Sequence, residues 1–435
     1  MGFFDKIFGG KSTNQPNIKF GRYSDAYRSD AQQISFNKAI EEFEKGRYVR
    51  AYKYFFEFLR DDEADNVRFW EDEKGLRFEL LQGSKKVIGI ADEQRVEVET
   101  KVAVAETLEV VFMKRLMEKN YSLKYGRFAL DGDNNVIMKF NTFVLDGSPY
   151  KLYDALKEVA TNADKLDDLL LDEFDTLKQV GSGHITDIAE SEKNTKYKFL
   201  INSIQTTLYK IQQMPATSPS INKAYCLMSL CYKLDYLIRP EGFVMEVLER
   251  INRQYFAHDE QTIATKCRLL IQEFENIVNR PKLEVLKEIY ETTSTFGVTM
   301  PVHHDRVKAF IDGEMPNMEW YVKHEKYDVA LFSASYVVGY CLFNYAVSLP
   351  IRAFFHLYYK ITESDYFLEL GYTLDLYQDE LQVFNKTAIK SEINKIVKTH
   401  RKAFPNLNPQ IDILDYTSLG TFVQTYLEMI SRLDV

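Results

Sequence analysis

The sequence predicts an α+β N-terminal domain, with an antiparallel sheet and flanking helices, followed by an all-α C-terminal domain. Three observations predict this fold class. Apolar and polar residues alternate with a period of two between residues 66 and 104, as they do in half-buried strands. Two further alternating segments enclose the acidic turn at residues 131–135. From about residue 196 onward, apolar residues instead recur at helical spacing.

The composition indicates a globular protein, and the net charge argues against one class of partner. A chain of 435 residues is long enough for two or three domains, and 45% hydrophobic with 27% charged residues is ordinary for a packed core. Only 11 Pro and 19 Gly are present, which favours helices over an all-β design. The formal charge of -9 argues against a nucleic-acid partner, because such partners require a basic surface.

The cysteines indicate a reducing compartment. None of them belongs to a CxxC pair, and all lie in apolar segments, so they are predicted to be small core residues. They are Cys226, Cys231, Cys267 and Cys341. We therefore expect no zinc site at these cysteines. Because the sequence also lacks a complete phosphate-binding, calcium-binding or dinucleotide-binding motif, we expect no metal and no cofactor. The N-terminus lacks the apolar run of a signal peptide, and we expect a cytoplasmic protein.

Residues 1–30 are predicted to be a tail that begins with a short amphipathic helix. Its large apolar side chains share one helical face, and they are Phe3, Phe4, Ile7 and Phe8. Two interpretations remain open. The tail packs on its own protein, or it docks on a partner or a membrane surface.

Residues 31–178 are predicted to form a helical hairpin and then the α+β domain. The first strands are expected at residues 66–71, 75–83, 85–91 and 94–104. A helix from about Glu106 to Lys119 follows, and then a hairpin with strands at residues 121–130 and 136–144. Ser148 suits the N-cap of a long helix, and Pro149 suits its first position.

Residues 179–195 are predicted to be a linker, because they contain Gly, Ser and Thr without apolar periodicity. Residues 196–435 then form the all-helical domain. The stretch from Val329 to Ile351 is uncharged and long enough to cross a membrane. Its Ser, Asn and Tyr content, with Pro350 near its end, instead favours a helix buried in a protein interior.

The segment from about Asp65 to Asp175, roughly a quarter of the chain, resembles a known family. The residues that carry the resemblance are Glu118–Asn120, Tyr125–Leu130, Asp131–Asp133, Ala155-Leu156 and Ala163-Asp164. In these motifs and in the order helix, strands, helix, two strands, helix, the segment resembles the type III secretion chaperones, which include the Tir chaperone. It is also similar to the bacterial sensory-transduction-regulator family.

The resemblance implies a non-catalytic protein that binds or chaperones another polypeptide, with a link to secretion or regulation. Such domains hold an extended segment of a partner by strand addition and in apolar pockets. The candidate anchors are Phe69, Trp70 and Phe78, and the alternative is that these aromatic residues belong to the core. Secretion chaperones are commonly dimers, so the resemblance is also compatible with a homodimer.

Two other functions remain open. His303 and His304, with His324 downstream, could bind a metal or act as acid and base in an enzyme. The sequence contains no catalytic spacing, however, so we expect no enzyme. In the second alternative, the apolar face of the N-terminal helix anchors a peripheral membrane protein or a component of a secretion apparatus.

Overall fold

The computed structural model describes residues 16–21, 28–61, 64–180, 185–215, 217–297 and 299–435. The predicted N-terminal helix, with Phe3, Phe4, Ile7 and Phe8, lies outside these residues. The chain divides into two compact units. The first contains Arg28–Asp187 and Tyr290–Val298, and the second contains Ile188–Ile289, Thr299–Val435 and part of the N-terminal segment. The predicted fold class is confirmed, since the first half has an antiparallel sheet with flanking helices and the second half is helical.

The described residues of the first unit form four α-helices, a short 3-10 helix at Val144–Asp146 and eight strands. The helices are α1 (Asp30–Glu44), α2 (Tyr48–Leu59), α3 (Val110–Ser122) and α4 (Pro149–Glu173). The strands are β1 (Val67–Asp72), β2 (Gly75–Gly83), β3 (Lys85–Ala91), β4 (Arg95–Ala105), β5 (Arg127–Leu130), β6 (Asn135–Phe143), β7 (Leu177–Gln179) and β8 (Thr293–Ser294).

The strands of this unit form one antiparallel sheet in the order β1-β2-β3-β4-β6-β5. β7 pairs with the end of β4, and β8 pairs with the end of β2. One face is apolar because alternate residues, such as Leu76, Phe78 and Leu80 of β2, point into the core. α4 packs against β2, β3, β4 and β6, and α2 packs against β1 and β2. The other face carries polar and charged side chains, including Arg77 and Glu79.

The long helix α4 begins where the sequence predicts. The Ser148 side chain is the N-cap and accepts a hydrogen bond from the amide of Lys151 at 3.3 Å. Pro149 fits the first position because the amide there has no partner within the helix. Leu156 and Val159 are fully buried, so α4 provides much of the core beneath the sheet.

The second hairpin differs from its prediction in the first strand. Tyr121 still belongs to α3, and β5 begins only at Arg127. The carboxylate of Glu158, on α4, accepts hydrogen bonds from the three consecutive amides of residues 124–126 at 2.7–2.8 Å. Because these amides are bound to a side chain, they are not available to a neighbouring strand, and the segment forms a loop.

A segment from the second half of the sequence completes the sheet of the first unit. Thr293 and Ser294 pair with the end of β2. Beyond them, the hydroxyl of Thr295 donates to the carbonyl of Leu81 at 2.7 Å, and Phe296 is fully buried. The sequence predicts that these residues belong to the helical domain, because a strand of two residues shows no alternation.

The second unit consists mainly of helices. They are α5 (Glu190–Gln213), α6 (Ser220–Ile238), α7 (Gly242–Phe256), α8 (Ile263–Asn279), α9 (Lys282–Lys287), α10 (His304–Lys323), α11 (Tyr327–Asn344), α12 (Leu349–Thr362), α13 (Ser364–Glu369), α14 (Lys386–His400) and α15 (Leu419–Ser431). Short strands also pair within this unit, β9 (Met300–Pro301) with β10 (Tyr345–Ala346) and β11 (Tyr377–Gln378) with β12 (Val383–Phe384).

The uncharged segment from Val329 to Ile351 forms two helices rather than one. α11 ends at Asn344, a two-residue strand follows, and α12 begins at Leu349 with Pro350 in its first turn. α11 packs against α6, α10 and α15. Within the described residues, no helix combines the length and the apolar character that crossing a membrane requires.

Candidate functional site

The side of α3 that faces solvent is apolar. Val110 is 80% exposed, Met117 is 73% exposed and Tyr121 is 95% exposed. Met113 is also exposed. These four residues, which we call the α3 stripe, follow one another at spacings of three and four and therefore line one side of the helix.

Other residues of α3 fix the helix to the unit. Phe112 and Leu116 are buried, and the ring of Phe112 lies 6.1 Å from the ring of Phe174. The helix is therefore apolar on a side that packs in the core and also along the stripe that faces water. Contiguous apolar surface of this kind commonly marks an interaction site.

The α3 stripe lies beside strand β5, at the edge of the sheet. Asn120, three residues after Met117, accepts the amide of Phe128 through Oδ1 at 2.6 Å and donates from Nδ2 to the carbonyl of Phe128 at 3.0 Å. One side chain thus makes the two hydrogen bonds that a neighbouring strand would make. Asn120 ties α3 to β5 and covers part of an edge that strand addition would use.

Charged side chains border the α3 stripe. Lys114 and Glu118 lie one turn apart, with Nζ 4.0 Å from Oε1. Arg115 lies 4.0 Å from Glu118 and 3.9 Å from Glu173. These side chains are largely exposed, so the ion pairs contribute little to stability. A partner that covers the α3 stripe would therefore meet both cations and carboxylates beside it.

The polar face of the sheet is a second candidate surface. Cross-strand register places five residues in one row across β1, β2, β3, β4 and β6, and they are Arg68, Glu79, Ile88, Glu99 and Lys139. Lys139 lies 2.8 Å from Glu99. A pocket of about 700 Å³ lies on this face. Because its lining residues include both carboxylates and cations, the pocket does not favour a ligand of one charge.

The three predicted aromatic anchors have different environments. Trp70 projects from β1 on the polar face and is 45% exposed. Phe69 is half-buried, and Arg60 lies over its ring at 5.6 Å. Phe78 is 1% exposed, and its ring lies 4.3 Å from the ring of Phe56. Phe78 therefore belongs to the core, which was the alternative interpretation, and Trp70 has the most surface to offer a partner.

The histidines considered for an enzyme do not form one cluster. His303 is exposed as the N-cap of α10, with Nδ1 3.0 Å from Asp305. His304 is buried, and this burial lowers its pKa. His324 stacks on Trp320 with the rings 4.1 Å apart, at the other end of a helix of 20 residues, which is about 30 Å long. Among the described residues, no group of three or more His, Cys, Asp or Glu side chains could hold a metal ion.

The α3 stripe is not among the sites that the sequence predicts. The sequence predicts this helix, but apolar residues occupy more than one of its sides, so periodicity alone does not show which side faces solvent. The available signal was the excess of apolar residues. Phe112 and Leu116 already supply the core-facing side of the helix. Met113, Met117 and Tyr121 are further large apolar residues that this side does not require, and they indicate a second apolar side.

The fold and the site define an α+β unit with an exposed apolar helix, joined to a helical unit. No family model matches this chain, and no curated protein matches it either.

Proposed function

We propose that this chain is a non-catalytic, chaperone-like protein that binds another polypeptide through its α+β unit. The α3 stripe carries the proposal, because Val110, Met117 and Tyr121 are largely exposed to solvent. Removing one such side chain from water is worth about 1.5–3 kcal/mol, so a partner that covers the stripe gains several kcal/mol. An apolar line along one helix is typical of helix-mediated recognition.

The occupant that fits the α3 stripe is an amphipathic helix with an apolar line of its own. A second copy of α3 supplies such a helix. In an antiparallel pair related by two-fold symmetry, Val110 of one copy faces Tyr121 of the other, and Met113 faces Met117. The stripe is therefore complementary to itself, which is what a homodimer requires.

The charges at the border of the stripe favour the same register. Lys114 of one copy lies beside Glu118 of the other, and two-fold symmetry forms this pair twice. Exposed pairs of this kind are worth about 0.2–1 kcal/mol each, so they fix the register more than they add affinity.

The oligomeric state of the full chain tests the proposed occupant. Met117→Glu places a charge in the stripe and should convert a dimer into a monomer in light-scattering measurements. Met300→Glu is the matched control, because Met300 is also highly exposed but lies in the second unit. Lys114→Glu or Glu118→Lys alone should weaken the dimer, and the two changes together should restore it.

Capture of polypeptides by the full chain tests the proposed function itself. Met117→Glu should lose the polypeptide bound to α3, whether a second copy or another helix, that the wild type and Met300→Glu retain. If the chain is monomeric but still captures a polypeptide on α3, the occupant is a helix other than a second copy. If it is monomeric and captures none, the proposed function is wrong.

The resemblance to type III secretion chaperones supports a polypeptide-binding role, and a link to secretion or regulation is part of the proposal. We also propose a cytoplasmic location. The four cysteines are buried and form no disulfide, which is what a reducing compartment favours.

The two alternatives have less support. An enzyme would require His303 or His304 beside other polar groups in a cleft, but His303 is exposed and His304 is buried. A membrane anchor would depend on residues 3–8, which lie outside the described residues. Flotation with liposomes before and after removal of residues 1–10 tests this alternative.

A further inference from the structure

The outer side of α14 is strongly basic, although the chain as a whole has a formal charge of -9. Residues 386–402 contain six Lys and Arg residues and one carboxylate. All six are exposed, and they are Lys386, Lys390, Lys395, Lys398, Arg401 and Lys402. We call this set the α14 basic face.

The remaining side of α14 packs into the second unit. Ile389 and Ile393 are fully buried. Glu392, the carboxylate of this helix, lies 3.0 Å from the buried Lys360 and 3.8 Å from Lys395. The carboxylate of Glu392 therefore lies toward the core, and the charged side chains on the outer side of the helix are all cations.

Helix stability explains only part of this charge pattern. Cations near the C-terminus of a helix interact favourably with the helix dipole, which accounts for Lys398 and Arg401. Lys386 is the first residue of α14, and Lys390 follows one turn later. Lys386 lies over the ring of Tyr416 at 5.1 Å, and this contact offsets the unfavourable dipole. Because the dipole disfavours a cation near the N-terminus, Lys390 points to a negatively charged partner outside the protein.

Small polar side chains form the centre of the α14 basic face. Thr387, Ser391 and Asn394 are exposed and follow at spacings of four and three, so they form one line along the helix, and the exposed Lys398 continues this line one turn later. At about 100° per residue, Lys390 lies on one side of this line and Lys395 on the other. The centre of the face therefore carries three uncharged hydrogen-bonding groups followed by Lys398, and both flanks are positive.

We infer that α14 binds double-stranded nucleic acid in the major groove. A helix with its side chains is about 10–12 Å across, and the major groove of B-DNA is about 12 Å wide. The central hydroxyl and amide groups then face base edges, and the flanking cations face the two phosphate backbones. α14 has 15 residues, which gives a contact length of about 22 Å.

Two other anionic partners fit α14 less well. A helix that lies on a membrane buries an apolar face in lipid, whereas Ile389 and Ile393 are already buried in the protein. Polypeptide interfaces depend on aromatic and Arg anchors at their centre, where α14 instead has Thr387, Ser391 and Asn394.

The net charge of -9 led us to expect no nucleic-acid partner, but it describes the whole chain rather than this helix. Repulsion from distant carboxylates is largely screened beyond about 10 Å at 0.1 M salt.

Fluorescence anisotropy of a labelled DNA duplex with the full chain tests the inference. We expect the duplex to bind, and we expect the logarithm of the association constant to fall linearly with the logarithm of the salt concentration. The double variant Lys390→Gln with Lys395→Gln should bind the duplex roughly tenfold more weakly per lost phosphate contact at about 0.1 M salt. The slope of the logarithm of the association constant against the logarithm of salt concentration should become shallower by about two. The control, Lys287→Gln with Lys323→Gln, changes the net charge equally at exposed positions outside α14 and should bind as the wild type does.

Two results would overturn the inference: no duplex binding at about 50 mM salt, or equal binding by the α14 variant and the control. Poly-glutamate and vesicles containing phosphatidylserine serve as competitors. If either displaces the duplex at an equal concentration of charge, the partner is a different polyanion and the inference is wrong. Met117→Glu should leave duplex binding unchanged, so this test is independent of the proposed function.

Discussion

Trp70 and Phe78 show how two neighbouring strands give aromatic side chains different roles. Phe78 pairs with Phe69 on the apolar face of the sheet. Trp70 is one position further along β1, opposite Arg77, and therefore projects from the polar face. The alternation of the strands decides which ring is core and which is available to a partner.

Replacing each of these two residues by alanine should separate the roles. Phe78→Ala removes a fully buried ring and should lower stability by about 3–5 kcal/mol. Trp70→Ala should change the melting temperature little, and should weaken polypeptide binding by on the order of 1–3 kcal/mol if Trp70 is an anchor. Thermal melts and capture experiments on the full chain measure both effects. A loss of stability in Trp70→Ala as large as that in Phe78→Ala would make Trp70 a structural residue.

His356 gives the second unit a dependence on pH. Its ring lies 5.0 Å from the ring of Phe20, and its Nδ1 lies 3.2 Å from the hydroxyl of Tyr236. Burial, with the nearby charge of Lys360, lowers the pKa of His356 to about 3. The folded protein therefore keeps a neutral imidazole at pH values where the unfolded chain, with a pKa of about 6.5, is protonated.

Stability of the second unit should fall as the pH decreases from about 6.5 toward 3, by up to about 1.4 kcal/mol per pH unit. His356→Leu should remove the contribution of His356 to the dependence of stability on pH, and should leave the contribution of the carboxylates. Because the chain has two tryptophans, Trp70→Phe in both proteins leaves Trp320 to report urea unfolding of the second unit. Equal slopes in the two proteins would contradict the prediction.

Among the elements, strands were easier to predict than the orientation of α3. β1 to β4 form within one residue of their predicted limits, because an alternating strand has one apolar side. α3 carries Phe112 and Leu116 on one side and Met113 and Met117 on another, so its pattern does not determine which side is buried. The sequence therefore led to Trp70 as the anchor, whereas the larger exposed apolar surface lies on α3.

α3 also protects the edge of the sheet. Asn120→Ala removes both hydrogen bonds to Phe128 and leaves the backbone of β5 open to pairing with another chain. We expect more aggregation on mild heating, measured by light scattering and thioflavin fluorescence. Ser122→Ala is the control, because its hydroxyl donates to the carbonyl of Lys119 within the same helix. If both variants aggregate equally, Asn120 does not protect this edge.

At the scale of the whole molecule, the first unit is discontinuous in sequence. It joins Arg28–Asp187 to Tyr290–Val298. Phe296 lies 214 residues after Gln82, yet its amide donates to the Gln82 side chain at 2.9 Å. The sequence predicted the hairpins because their partners are adjacent along the chain. It could not predict β8, because a distant two-residue strand leaves no local pattern.

A fragment of residues 28–187 should therefore be less stable than the same unit in the full chain. Without the returning segment, the Gln82 side chain loses the amides of Thr295 at 3.2 Å and Phe296 at 2.9 Å. The fully buried ring of Phe296, which lies 5.5 Å from the ring of Tyr153, is also lost. Removal of a buried Phe typically costs about 3–5 kcal/mol.

Thermal melts followed by Trp70 fluorescence measure this loss in the fragment. A synthetic peptide of residues 289–297 should raise the melting temperature, because a ligand that binds only the folded state stabilises it. The same peptide with Phe296→Ala keeps the backbone hydrogen bonds but lacks the ring, so it should stabilise the fragment much less. A fragment that melts as the unit does in the full chain, and that does not respond to either peptide, would show that residues 28–187 fold without the returning segment.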